Sequence, residues 1–203
     1  MAEEYAGYPD LHRAAATGNV AAIERLRDGG ADPDARDVDG RTPLHIAALT
    51  GNSDAASALV RCGADPQAYD QEHVDALTIA ATRGDHAMVA LLLWLGADPK
   101  AVTGRDDRTA LIAAARAGHV EVVRELVDAG APVNWMSSLG WTALMEAVIF
   151  GDDPARTAAT VQALLEGGAK ARFRDWQGTS ALRIARLKGD EAAAALLIAA
   201  GAD

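Results

Sequence analysis

The chain of 203 residues carries one cysteine, Cys62, so no internal disulfide can form. A reducing, cytoplasmic setting is the expected one. Aromatic side chains are scarce at 4% of the sequence. Any core must therefore be built from small and aliphatic groups in close approach. Basic residues are outnumbered, 19 against 29 acidic ones, which leaves a net charge of −10. That balance argues against nucleic acid or an anionic lipid surface as the partner. No stretch nears the roughly 18 uninterrupted apolar residues of a membrane helix. Met1 to Asp10 opens on acids and lacks an apolar run, so a secretory leader is not expected.

What the chain has in abundance is repetition. Gly-Ala-Asp stands at Gly30-Ala31-Asp32, Gly63-Ala64-Asp65, Gly96-Ala97-Asp98 and Gly201-Ala202-Asp203. Weaker copies lie at Gly130-Ala131-Pro132 and Gly168-Ala169-Lys170, giving spacings of 33, 33, 34, 38 and 33 residues. A period of this length predicts one supersecondary unit stacked six times, each burying its apolar face on its neighbours.

The repeat around Thr42 shows the unit most plainly. Thr42 suits an N-cap and Pro43 the first helical position, where a missing N–H costs nothing. Leu44, Ala47 and Ala48 share a helical face, and Gly51 is placed to end the helix. Asn52 is the expected cap of a second helix bearing Ala56, Leu59 and Val60. Asp37-Val38-Asp39-Gly40 reads as the tip of a hairpin-like finger. The inward leucine recurs as Leu11, Leu44, Leu77, Leu111, Leu144 and Leu182. The interhelix glycine recurs as Gly18, Gly51, Gly84, Gly118, Gly151 and Gly189.

Thr42-Pro43-Leu44-His45-Ile46-Ala47 resembles the signature of the ankyrin repeat family, and Gly118-His119-Val120-Glu121-Val122-Val123 resembles its second-helix opening. The resemblance runs over about residues 9 to 203. It implies an all-α solenoid of six helix-turn-helix repeats with projecting fingers, one domain over 1–203, and repeats starting near 9, 42, 75, 109, 142 and 180. It further implies protein binding on a concave side, with no catalysis and no cofactor.

Departures from the pattern raise specific expectations. The signature histidine is kept at His12 and His45, and replaced by Thr78, Ile112, Met145 and Arg183. In the family this imidazole ties repeats together, so the later half is expected to be less tightly linked. His73 and Asp107 stand where the finger glycine belongs, predicting two irregular fingers. Asp153-Pro154, within the 38-residue interval, predicts a second helix that starts late and runs a turn longer. The last helix, Glu191 to Ile198, is too alanine-rich for the polar outer face a terminal repeat needs, so it either suffices as it is or packs on a second copy.

Catalytic and metal-binding patterns find little support. The five histidines fall at different register positions, and Cys62 has no histidine at a telling spacing. No paired Cys or His motif matches a zinc site, and the glycines are already assigned to helix ends.

Five of the nine aromatic residues lie between Trp135 and Trp176. Trp135 and Phe173 replace Ala35, Ala68 and Ala101 at the finger base, and Trp141 takes the variable position before a first helix. Ile149-Phe150 ends that helix on the side that faces the groove in the family. Exposed aromatics are expected at binding hot spots. A partner-binding patch is thus predicted at Leu139, Trp141, Ile149, Phe150 and Trp176, with Arg174 and Arg186 in a basic fringe that also contains Lys170, Arg172, Arg183 and Lys188. Trp135 and Phe173 either join the patch or pack finger against finger. Asp28, Asp32, Asp34, Asp37 and Asp39 make the opposite end acidic. The expected partner is a protein offering apolar residues beside acidic ones. The alternative is self-assembly, a monomer becoming a homodimer through the C-terminal helix.

Overall fold

The computed structural model describes residues 9–203, so the expectations for residues 1–8 lie outside the described part. Among the described residues the chain is helical throughout and forms no sheet. It divides into two compact units. The first holds the chain to Ala80 together with Asp85–Asp98, and the second holds Ala81–Gly84 together with Pro99–Asp203.

In the first unit α1 (Asp10–Ala16) pairs with α2 (Val20–Asp28), and α3 (Pro43–Thr50) with α4 (Ser53–Arg61). The start of α5 (Ala76–Arg83) and α6 (His86–Trp94) complete it. The second unit takes the end of α5, then α7 (Ala110–Ala117) with α8 (Val120–Asp128), α9 (Ala143–Phe150) with α10 (Pro154–Glu166), and α11 (Ala181–Lys188) with α12 (Glu191–Ala199).

Sequence chemistry sets these boundaries. Thr109, Thr142, Ser180 and Asp75 each accept a hydrogen bond from the backbone N–H three residues on, satisfying an orphan amide of the first turn. Asn19, Asp85 and Asp190 cap the second helices in the same way. Asn52 does not: its Nδ2 donates to Ala15 O and Ala16 O of the preceding repeat. His119, at the same register, likewise reaches back to Thr82 O at 3.1 Å. The expected cap at Asn52 is thus a tie between repeats.

Two columns of leucine form the core. Leu44, Leu77, Leu111, Leu144 and Leu182 point inward from first helices, and Leu59, Leu92, Leu126, Leu164 and Leu197 from second helices. Burying each contributes about 1.5–3 kcal/mol. Alanines at 0% exposure, such as Ala47, Ala56, Ala80 and Ala114, let the backbones approach closely.

The fingers are hydrogen-bonded turns organised by an aspartate. Asp37 Oδ1 accepts from Asp39 N and Arg41 N, and Asp70 and Asp175 repeat that arrangement. The expected irregularity at His73 is absent. His73 adopts φ 60°, close to the 70° of Gly40, and the Asp70 N to Val74 O bond matches Asp37 N to Arg41 O. The finger at Thr103–Arg108 does differ. It absorbs the extra residue between paired Thr103 and Arg108, with Gly104 at φ 71° and Asp107 at φ 53°.

Between repeats, one register position stitches successive Gly-Ala-Asp corners. In the first unit Asp34 accepts from Asp65 N, and Gln67 Nε2 donates to Gly96 O. In the second unit Asn134 Nδ2 donates to Gly168 O, and Arg172 Nε to Gly201 O. His12 and His45 tie the first unit as the resemblance implies, through Nε2 to Arg41 O and Val74 O. The second unit lacks those histidines but not the ties. Trp135 Nε1 donates to Asp107 O, Trp176 Nε1 to Ser138 O, and Lys188 Nζ to Val148 O, Ile149 O and Gly151 O. The expected loosening of the later repeats is corrected accordingly.

The late start of α10 holds. Asp153 Oδ1 accepts from Ala155 N and Arg156 N, and the helix runs for 13 residues. This displaces Gly151 from the left-handed conformation of Gly51, Gly118 and Gly189 to φ −58°. Glycine remains necessary there, because Thr157 Oγ1 and Ala147 O crowd the space a Cβ would fill.

Candidate functional site: an aromatic and guanidinium cluster in the second unit

The cluster is built on α7 and α9. Trp141 immediately precedes the Thr142 cap of α9 and is half-buried, and Phe150 ends the same helix two turns later. Their ring centroids lie 6.1 Å apart at an interplanar angle of 62°, an edge-to-face pair. Arg116, one residue before the end of α7, lays its guanidinium over the Phe150 ring with Cζ 3.3 Å from the centroid. Phe150 keeps 38% of its surface exposed.

Beneath them lies Glu146, which is 0% exposed. Its Oε2 accepts from Arg116 Nη1 at 2.9 Å, and its Oε1 is 3.3 Å from Arg108 Nε. The second contact is an ion pair whose N–H is not aimed at the oxygen, so neither atom has a hydrogen bond. Arg108 Nη2 also meets Asp106 Oδ2 at 3.0 Å. A buried carboxylate is tolerable only when paired, and this one holds two guanidiniums in fixed places. Neither Glu146 nor Arg116 was among the residues singled out from sequence. The signal was available: Glu146 falls in a column that holds Ile46, Ile79, Ala113 and Ile184 in other repeats and Arg13 in the first. Arg116 occupies the column of Leu49, Thr82, Ile149 and Leu187.

The other expected site residues separate into groups. Leu139 is exposed at the tip of the finger at 137–140, where Trp176 reaches it through its bond to Ser138 O. The Trp176 ring lies over Gly140, whose φ of 79° and distance of 2.7 Å from an added Cβ to Trp176 Cδ1 admit no side chain. Trp176 nevertheless remains 67% exposed. Ile149 is half-buried beside Phe150 on α9. Trp135 is drawn to the finger at 103–108 by its 2.7 Å bond to Asp107 O. Phe173 is half-buried, with Lys170 Nζ 5.8 Å from its ring centroid. Arg174 braces its own finger through Gly178 O and meets Asp203 at 3.5 Å.

Arg186 stands apart from the aromatics. Its register is that of Ala48, Ala81, Ala115 and Val148, all buried against a following repeat, whereas Arg186 is exposed. Arg183 is likewise exposed in the column of His45, Ile112 and Met145. The polar outer face sought on the last helix is thus carried by α11. Lys188 and Arg172 spend their charges on backbone carbonyls. In the first unit Trp94 is 80% exposed at the end of α6, in a column that elsewhere holds Asp28, Arg61, Asp128, Glu166 and Ala199.

Among the described residues no group of three or more His, Cys, Asp or Glu could hold a metal ion. None of the described helices is long and apolar enough to cross a membrane.

Comparison with known proteins places this geometry in context. The model of the ankyrin repeats, three copies each, matches residues 11–103 and 77–159, well over half of the chain. Over 84 residues the chain is 42% identical to the ankyrin repeat protein YahD of Escherichia coli (strain K12), a match spanning 41% of this chain and 42% of that protein. The crystal structure of an ankyrin repeat domain from Acinetobacter baumannii AYE superimposes with a TM-score of 0.89 at 38% identity, covering 98% of this chain and all 100% of that one. The ankyrin repeat domain of Bcl-3, a member of the IκB protein family, gives a TM-score of 0.86 at 30% identity over 97% of this chain and 88% of its own. Ankyrin repeats are in general protein–protein interaction modules.

Proposed function

We propose that this chain, which belongs to the ankyrin repeat family, is a non-catalytic module that binds a partner protein through the face of its second unit around Trp141 and Phe150. The observation that carries the reading is the exposed Phe150 ring, fixed between Trp141 and the Arg116 guanidinium by a buried carboxylate. An aromatic held in one orientation loses little entropy on binding, which is what a hot spot requires. Trp176 and Leu139 extend the apolar surface along the finger tips. The lone Cys62 fits a reducing, cytoplasmic setting. The test is affinity capture from extract of the native cell with the wild type and a Trp141→Ala, Phe150→Ala double variant. A stoichiometric partner lost from the variant supports the site; a partner held equally by both moves the site elsewhere.

A second reading is self-association through the C-terminal helix pair. It is favoured by Leu187 at 78% and Ile198 at 50% exposure, beside the exposed Ala192, Ala195 and Ala199. A mass in solution that doubles with concentration supports it, and a constant monomer mass removes it.

A further inference from the structure

Resting on that reading, we infer that the face selects a partner segment in which a carboxylate lies beside an apolar side chain. The carboxylate is taken by Arg116, and the apolar group by Phe150 and Trp141.

The donors of Arg116 decide what it can take. A guanidinium carries five N–H groups in a planar fork. Here Nη1 is the one nitrogen with a hydrogen bond among the described residues, to Glu146 Oε2. The plane cannot swing away, because Phe150 supports its face and Glu146 its edge. The remaining donors belong to a side chain that is 38% exposed and held in one orientation. A fixed fork of this kind fits a carboxylate, which it can engage through two parallel bonds.

The local charge chooses the same occupant. Arg108 and Arg116 are matched by Glu146 and Asp106, so the ion-paired group is neutral as a whole. Arg83 supplies the excess. It is exposed, makes no ion pair among the described residues, and stands at the first-helix end of the preceding repeat, in the column of Phe150. The exposed Arg83 guanidinium on a chain of net charge −10 suits a single carboxylate. It does not suit a polyanion, which the remainder of the chain repels.

Glu146 supplies an independent observation. It is a fully buried acid in a column that is aliphatic in four other repeats, and its Oε1 and Arg108 Nε lack hydrogen bonds. For packing alone an isoleucine there, as in three other repeats, satisfies the core without that cost. The carboxylate is explained by what it holds: two guanidiniums, one of which lies on the exposed Phe150 ring. Glu146 is a positioning residue in this account.

The test uses random twelve-residue peptides displayed on phage and selected on the full chain. Enriched peptides are synthesised as such and with each Asp or Glu replaced by its amide, then titrated by calorimetry against wild type, Arg116→Gln, Arg83→Gln and Phe150→Ala. The expected result is a carboxylate near an apolar residue. Its amide version should bind about tenfold more weakly to the wild type but equally to Arg116→Gln, the non-additivity that reports direct contact. Should Arg116→Gln fail to fold, Arg83→Gln serves in its place. It should lower affinity for the acidic peptides by roughly two- to threefold and leave their amides unchanged. Peptides that need Phe150 but bind as well without a carboxylate overturn this inference and leave the binding surface intact. Failure to enrich any peptide sensitive to Phe150→Ala overturns both.

Discussion

His45 illustrates how much one side chain decides. Its Nδ1 faces the Thr42 backbone N–H at 3.2 Å, which is a donor, so Nδ1 must accept. Its Nε2 then carries the proton and donates to Val74 O at 2.9 Å. The ring is therefore neutral in the folded chain, and protonation would set N–H against N–H. Burial lowers its pKa from 6.5, outweighing the Val74 bond and the nearby Asp70 and Asp75, which favour the cation, while Arg36 opposes it. With the folded value depressed, the unfolded chain binds the proton first as pH falls. Stability is then full above about 6.5 and declines as pH drops from there towards the folded value. Urea unfolding followed between pH 7.5 and 5 should show that decline, with a smaller slope in His45→Gln. Equal slopes in the two proteins would contradict the assignment. His45 was legible in the sequence because its motif recurs. Glu146 and Arg116 were missed: each is the exception in its column, a signal that shows only when the columns are laid side by side.

Among the elements, α9 and α10 show what a register conceals. Asp153-Pro154 foretold the late start of α10 correctly, because capping is local chemistry. The consequence for α9 was not local. Once the connection lengthens, Gly151 leaves the left-handed conformation that closes other first helices, and the carbonyls at the end of α9 need another donor. Lys188 supplies it from the following repeat, 37 residues away, with Nζ 2.7 Å from both Val148 O and Gly151 O. A positive charge at a helix C-terminus is favourable as well. Lys188→Met should therefore cost about 1–2 kcal/mol in urea unfolding. It should also speed amide exchange around Val148–Gly151 while leaving α3 and α4 unaffected. A fully neutral substitution would show the ammonium to be ornamental. The same comparison explains why the basic fringe read from composition is smaller in the structure: Lys188 and Arg172 are consumed by carbonyls, and Arg183 and Arg186 face outward from the last repeat.

For the whole molecule, period and capping were enough to identify a repeat fold, since every stacked unit must solve the same burial problem with the same residues. Binding residues follow no such rule. The proposed ones sit in variable columns, where the sequence shows that Trp141 and Phe150 are unusual but not that they meet edge to face under a guanidinium. Trp135 and Trp176 show the converse, as both turned out to have their indole N–H bonded to a neighbouring finger. Hydrogen exchange of the chain with and without its captured partner reads the proposed surface directly. The account predicts slowed exchange over residues 106–117 and 137–151, around Arg116, Trp141 and Phe150. Protection confined to α6 around Trp94, or to α12, with none over those two stretches would contradict it.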